Sequence, residues 1–144
     1  MQTKSLGKQK LLKSKLSRVK MQIIYRGVHD WIQRMYTNPS EVITGKIENE
    51  MFKGNGLISN AIHFDYTSSN LKYFFLFDIR DNQISITYRD FEVSTGSGYY
   101  SAETYLYKKN GSLKTNSKAI SVKEGIEKEI GALINSLLIS LNLD

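Results

Sequence analysis

The chain of 144 residues contains no cysteine. It forms no disulfide, holds no thiolate-bound metal and supplies no cysteine nucleophile. Histidine is nearly as scarce, with His29 and His63 only. Neither has a second histidine or a carboxylate pair at ligand spacing, so no metal ligand is expected. His29 beside Asp30 reads as a surface pair on a helix. No Ser/His/Asp set or paired-carboxylate site stands out, and the sequence argues against an enzyme: no catalytic residue and no cofactor is expected. The single proline, Pro39, leaves most of the chain free for regular structure. No apolar run approaches the ~18 residues of a membrane span. Leu11-Leu12 is too short for the apolar core of a signal peptide.

Acidic residues are missing from positions 1–20. Seven of the 20 basic residues fall there (Lys4, Lys8, Lys10, Lys13, Lys15, Arg18 and Lys20), leaving 13 against all 14 acids. The net charge of +6 therefore belongs to the N-terminal segment, and the remainder carries −1. Such a segment can attract nucleic acid or an anionic surface. The lysines lack the aromatic or arginine-rich company of a nucleic-acid site, which favours a solvated leader over residues 1–17. A short first strand is weakly marked at Lys10 to Leu16, and residues 18–144 form one domain by length.

The strongest pattern is Leu71 to Val93. Leu71, Tyr73, Phe75, Phe77 and Ile79 alternate, as do Ile84, Ile86 and Tyr88. Asp81-Asn82 between them suits a two-residue turn. That turn sets Arg80 opposite Gln83, Ile79 opposite Ile84, Phe77 opposite Ile86 and Phe75 opposite Tyr88, and a one-residue slip would pair each apolar residue with a polar one. Phe91 and Val93 fall on the other parity, which a β-bulge near Arg89-Asp90 corrects. Phe74 and Leu76 interrupt the otherwise polar outer face, as a pair that suits contact with a second copy, contact with a partner, or cover by the Tyr99–Tyr107 loop folding back.

Around this hairpin the spacing predicts a helix from Ser17 to Tyr36, with Ser17 as its N-cap and Asn38-Pro39 as its stop. A strand follows over Glu41–Asn49, then a turn over Glu50–Gly56 built on Lys53-Gly54-Asn55-Gly56, then a strand over Leu57–Tyr66. Gly54-Asn55-Gly56 lacks the lysine and the following helix of a phosphate loop. Residues 94–118 are loop-rich and carry Tyr99, Tyr100, Tyr105 and Tyr107, the last two in a ribbon turning at Asn110-Gly111. Tyrosine among Ser and Gly suits protein contact. Ser121-Val122-Lys123-Glu124 reads as a capping box opening a long last helix.

The order of helix, four strands and helix implies an α+β domain with an antiparallel sheet and both helices on its apolar face. QIIYRGVHDWIQRMY, ITGKIENEMFKGNGLIS and YFFLFDIRDNQISITYRDFEV together resemble a bacterial family of unknown function described as having a TATA-box-binding-protein-like (TBP-like) fold. Tyr25, Trp31, Lys53-Gly54, Arg80-Asp81 and Asp90-Phe91 carry the resemblance. It implies a β-α-β4-α order with four to five strands, and a cell-envelope location, although this chain shows no leader. It brings no catalytic residues.

The expected function is a small non-catalytic binding or interaction module. Its candidate residues are Phe74, Leu76, Tyr99, Tyr100, Tyr105 and Tyr107, and its partner a protein or a second copy at the outer sheet face. Two alternatives stand beside it: nucleic-acid binding through the basic segment, and a helix-grip-like domain enclosing an apolar ligand.

Overall fold

A computed structural model describes the backbone of residues 7–142 and the side chains of residues 20–142. Helix α1 (Gly7–Met35) and the single turn α2 (Pro39–Val42) precede a meander of five strands, β1 (Ile43–Ile47), β2 (Met51–His63), β3 (Ser68–Arg80), β4 (Gln83–Thr95) and β5 (Gly98–Ser101). The turn α3 (Glu103–Leu106) and helix α4 (Ser117–Ser140) close the chain. Each strand pairs antiparallel with the next, in the order β1-β2-β3-β4-β5. The fold is α+β with an antiparallel sheet.

The central hairpin has the register that side-chain parity demands. Ile79 faces Ile84, Phe77 faces Ile86 and Phe75 faces Tyr88. Asn82 takes the left-handed conformation at φ 58, and Asp90 does so at φ 57, where β4 gains its extra residue. Past that bulge Val93 is back in the core opposite Leu71.

Several boundaries differ from the sequence pattern. Lys10–Leu16 is helix, so no strand precedes α1 among the described residues, and Ser17 lies inside the helix rather than at its cap. The stretch from Lys8 to Arg26 has no Gly or Pro and is rich in Lys, Leu, Gln and Arg, whose straight side chains favour helix. The apolar stripe marks where α1 packs, not where it starts. Lys4 and its neighbours before Gly7 lie outside the described residues. The fifth strand sits at the other end of the sheet, as β5.

Lys53-Gly54-Asn55-Gly56 is not a turn but the middle of β2. The turn is Glu48-Asn49-Glu50, with Asn49 at φ 66. Gly54 and Gly56 are there because other groups lie close against the strand. A Cβ at Gly56 would collide with the Tyr73 ring, and one at Gly54 would collide with the Val42 carbonyl oxygen. Glycine inside a strand marks such an approach as readily as it marks a turn. Beyond an irregularity at Asn60 (φ 54) the strand ends at His63, and Tyr66 is 98 % exposed rather than in phase with the core. The ribbon expected around Asn110-Gly111 reduces to one bridge, Tyr107 with Leu113, and Tyr105 belongs to α3. Helix α4 begins four residues before Ser121, capped by Asn116, whose side chain accepts from the Ala119 amide at 2.9 Å.

Both long helices cover one face of the sheet. Val28, Trp31 and Ile32 of α1 and Val122, Ile130 and Leu137 of α4 share a core with Phe52, Leu71, Tyr73, Phe75 and Phe77. The Trp31 indole donates to Ser136 Oγ at 3.0 Å and ties the helices together. Rings fill the space beneath them: Phe75 stacks on Phe77 at 4.8 Å between centroids, and Tyr25 on Phe52 at 4.4 Å.

Candidate functional site on the outer sheet face

Directly opposed residues of an antiparallel sheet share a face, so the register fixes the outer surface row by row. One row is Lys53, Leu76 and Thr87, and the next is Asn55, Phe74 and Arg89. Beyond the β4 bulge follow Leu57, Lys72, Glu92 and Ser101. Phe74 and Leu76 therefore lie mid-sheet, side by side, on the face away from α1 and α4. Both are only partly buried. The Arg89 guanidinium sits over the Phe74 ring, 4.7 Å from its centroid. A cation in that position is attracted by the ring's negative face, by roughly 0.5–1 kcal/mol at an exposed site.

The four tyrosines do not gather around this pair. Tyr99 alone shares the outer face, with the Lys72 ammonium 3.9 Å from its ring centroid. Tyr100 stands opposite Val93 on the inner parity and is half exposed. From β5 the chain turns toward α4: Ala102 enters the core, Tyr105 and Leu106 pack against it, and Tyr107 is 44 % exposed. The segment from Tyr99 to Tyr107 therefore does not fold back over Phe74 and Leu76. The six candidates divide between two sides of the molecule: Phe74, Leu76 and Tyr99 outside, Tyr100, Tyr105 and Tyr107 on the helix side.

A groove of about 890 Å³ runs beside Phe74. Its floor includes Asn55, Leu57 and Lys72. One wall is Asn38 with Glu41 of α2, and the other is the β4 bulge with Asp90 and Glu92. Around the edge of β2 a smaller hollow of about 420 Å³ continues it, lined by Ile58, Leu133 and Glu129, with Met35, Tyr36, Leu57 and Tyr73 shared between the two. The sequence pattern does not single out Leu57, Glu41 or Glu92. Leu57 is the one with a local signal, being a large apolar residue on the outer parity of β2, and it is 50 % exposed.

Beneath the groove lies a cluster of buried phenols. Tyr36 Oη and Tyr73 Oη share a hydrogen bond of 2.5 Å, while Tyr88 Oη is buried with no partner among the described residues. Burial pushes all three hydroxyls above the ordinary tyrosine range. Repulsion from the neighbouring phenolate adds to this for Tyr73 and Tyr88, and the shared hydrogen bond favours the neutral form of Tyr73. All three stay neutral near neutral pH, and Tyr36 and Tyr73 form part of the groove wall.

Among the described residues no group of three or more His, Cys, Asp or Glu side chains could hold a metal ion, and no helix is long and apolar enough to cross a membrane. The chain matches no family model, no curated protein and no solved structure.

Proposed function

We propose that this protein is a non-catalytic interaction module whose working surface is the outer face of its sheet. One observation carries the reading: two large apolar residues, Phe74 and Leu76, sit mid-sheet on the face opposite both long helices, beside an open groove. Isolated apolar residues on a surface need no explanation. Adjacent ones ringed by Lys53, Lys72, Asp78 and Arg89 have the apolar centre and polar rim of a protein contact. The acidic walls of the groove favour a protein partner over nucleic acid. The resemblance to an envelope-associated bacterial family supports a location at the cell envelope as part of the same proposal, with a second copy or a different protein as the partner.

The test is the double change Phe74→Ser with Leu76→Ser, followed by sedimentation and by partner capture from envelope extracts. A folded variant that loses self-association or a partner supports the reading, and loss of self-association identifies the partner as a second copy. A variant with unchanged stability, oligomeric state and partner binding overturns it.

A further inference from the structure

The edge of β2 carries more than apolar surface. The Ile79 amide donates to the Glu50 carbonyl at 2.7 Å, so Ile79 turns its backbone groups toward β2. Backbone direction alternates along a strand, hence Phe77, Phe75, Tyr73 and Leu71 face β2 as well. Their partners Phe52, Gly54, Gly56 and Ile58 complete that ladder. The odd residues of β2 then point the other way. Strand β1 takes up Met51 and Lys53, and its pairing reaches no further than Ile43, opposite Gly54, where the chain enters β1 from α2. Leu57 is left with its N–H and C=O directed outward and with no hydrogen-bond partner among the described residues. Natural sheets protect such an edge with charge or proline. Asn55 to Ser59 contains neither.

We propose that this edge receives an extended peptide segment of a partner protein as an added strand, a mode that rests on the interaction-module reading above. The two hollows are placed for it. Side chains of an added strand alternate, so a residue opposite Leu57 enters the outer groove while its neighbours enter the hollow of Met35, Tyr73, Ala132 and Leu133, where Glu129 is the one charged side chain among the described residues. Among the described residues the outer groove is lined by three acids, Glu41, Asp90 and Glu92, and one base, Lys72; Asp90 is paired with Arg89 at 3.7 Å and Lys72 lies on the Tyr99 ring, so Glu41 and Glu92 carry the preference for a basic side chain. The segment it fits alternates basic and apolar residues. Main-chain bonds to Leu57 supply affinity, and the two hollows supply the choice of side chain.

The probe is a capped hexapeptide of alternating Lys and Val, with a Glu/Val peptide as control, followed by amide-resolved hydrogen exchange on the whole protein. In the free protein the Leu57 amide exchanges at least about tenfold faster than the Ile58 amide, which is bonded to β3. Saturation with the Lys/Val peptide slows Leu57 at least about tenfold, and the Glu/Val peptide binds at least about tenfold more weakly. Leu57→Pro removes the outward N–H, leaves the ladder to β3 whole and abolishes binding. Glu41→Lys with Glu92→Lys reverses the preference between the two peptides, which decides the matter should Leu57→Pro fail to fold. Protection of Leu57 in the free protein, absence of Lys/Val binding, or wild-type binding by a folded Leu57→Pro variant overturns strand addition. Leu76→Ser alone, at a residue that lines neither hollow, judges the module reading separately, since it leaves this backbone edge and its groove intact.

Discussion

The two faces of β3 are built from one run of residues with opposite outcomes. On the inner side Leu71, Tyr73, Phe75, Phe77 and Ile79 are each no more than 2 % exposed. On the outer side Phe74 and Leu76 are of the same chemical kind and remain partly open to solvent. The difference is not hydrophobicity but cover. Two amphipathic helices have one stripe each, and both stripes go to the side where the apolar residues are continuous. Burial of a large apolar side chain is worth roughly 1.5–3 kcal/mol, so the five-residue side wins over the two-residue side. The outer pair is left as surface by default, which is what makes it available for another molecule.

Changes on the two faces should therefore differ sharply, and the largest effect belongs to Phe77→Asp. It sets a charge among Trp31, Phe75 and Tyr88 with no partner. The expected outcome is loss of cooperative thermal unfolding by circular dichroism. A folded Phe77→Asp protein would break the assignment of inner and outer faces.

Gly54→Ala comes next. Its Cβ runs into the Val42 carbonyl oxygen and meets the Phe75 ring at 2.8 Å. Overpacking of this kind costs about 1–3 kcal/mol, readable as a lowered urea midpoint. The same change at Gly96, which has open space around it, should leave the midpoint close to that of the wild type.

The phenols beneath the groove give the inner face a pH signature. Tyr36, Tyr73 and Tyr88 have hydroxyls raised above the unfolded value of 10.0. Their contribution is fully present below pH 10. It is lost as pH rises further, because the unfolded chain releases protons that the folded one keeps. For Tyr73, buried to 2 % exposure, the loss is about 1.4 kcal/mol per pH unit above that point. Urea midpoints at successive alkaline pH values should fall more gently for Tyr73→Phe than for the wild type. Equal slopes would show that the hydroxyl is hydrated in the folded state.

The smallest effects lie outside. Thr87→Asp, in the row of Leu76 and Lys53, should change stability by at most about 0.5 kcal/mol, as surface changes usually do. Phe74→Ser with Leu76→Ser should cost little more, while altering association. A loss of several kcal/mol from that pair would mean that the outer face is covered within the folded chain.

Local pattern explains part of this architecture. Alternation together with Asp81-Asn82 determines the central register, and Phe91 and Val93, out of phase, demand the bulge that Asp90 makes. Helix ends are not legible in the same way. Ser121 and Ser17 look like caps, yet the helices run through both, because good helix formers upstream extend a helix at little cost and Asn116 caps α4 earlier. Lys53-Gly54-Asn55-Gly56 reads as a turn since glycine's freedom is its commonest local meaning. The competing meaning, room for the Tyr73 and Phe75 rings, needs knowledge of which strand lies alongside.

The candidate site divides on the same line. Side-chain parity is a property of one strand, so the order of residues already sets Phe74 and Leu76 against the inner face. The basic start and the near-neutral body are likewise written in the chain. Folding adds what no single segment holds: Tyr99 joins the outer face while Tyr100, Tyr105 and Tyr107 leave it, Glu41 comes to stand across a groove from Glu92, and Leu57 comes to lie on the β2 edge beyond the pairing with β1. Those facts depend on where β1 stops beside β2 and on how the chain returns after β5. Packing between distant segments sets both, and no local pattern encodes them.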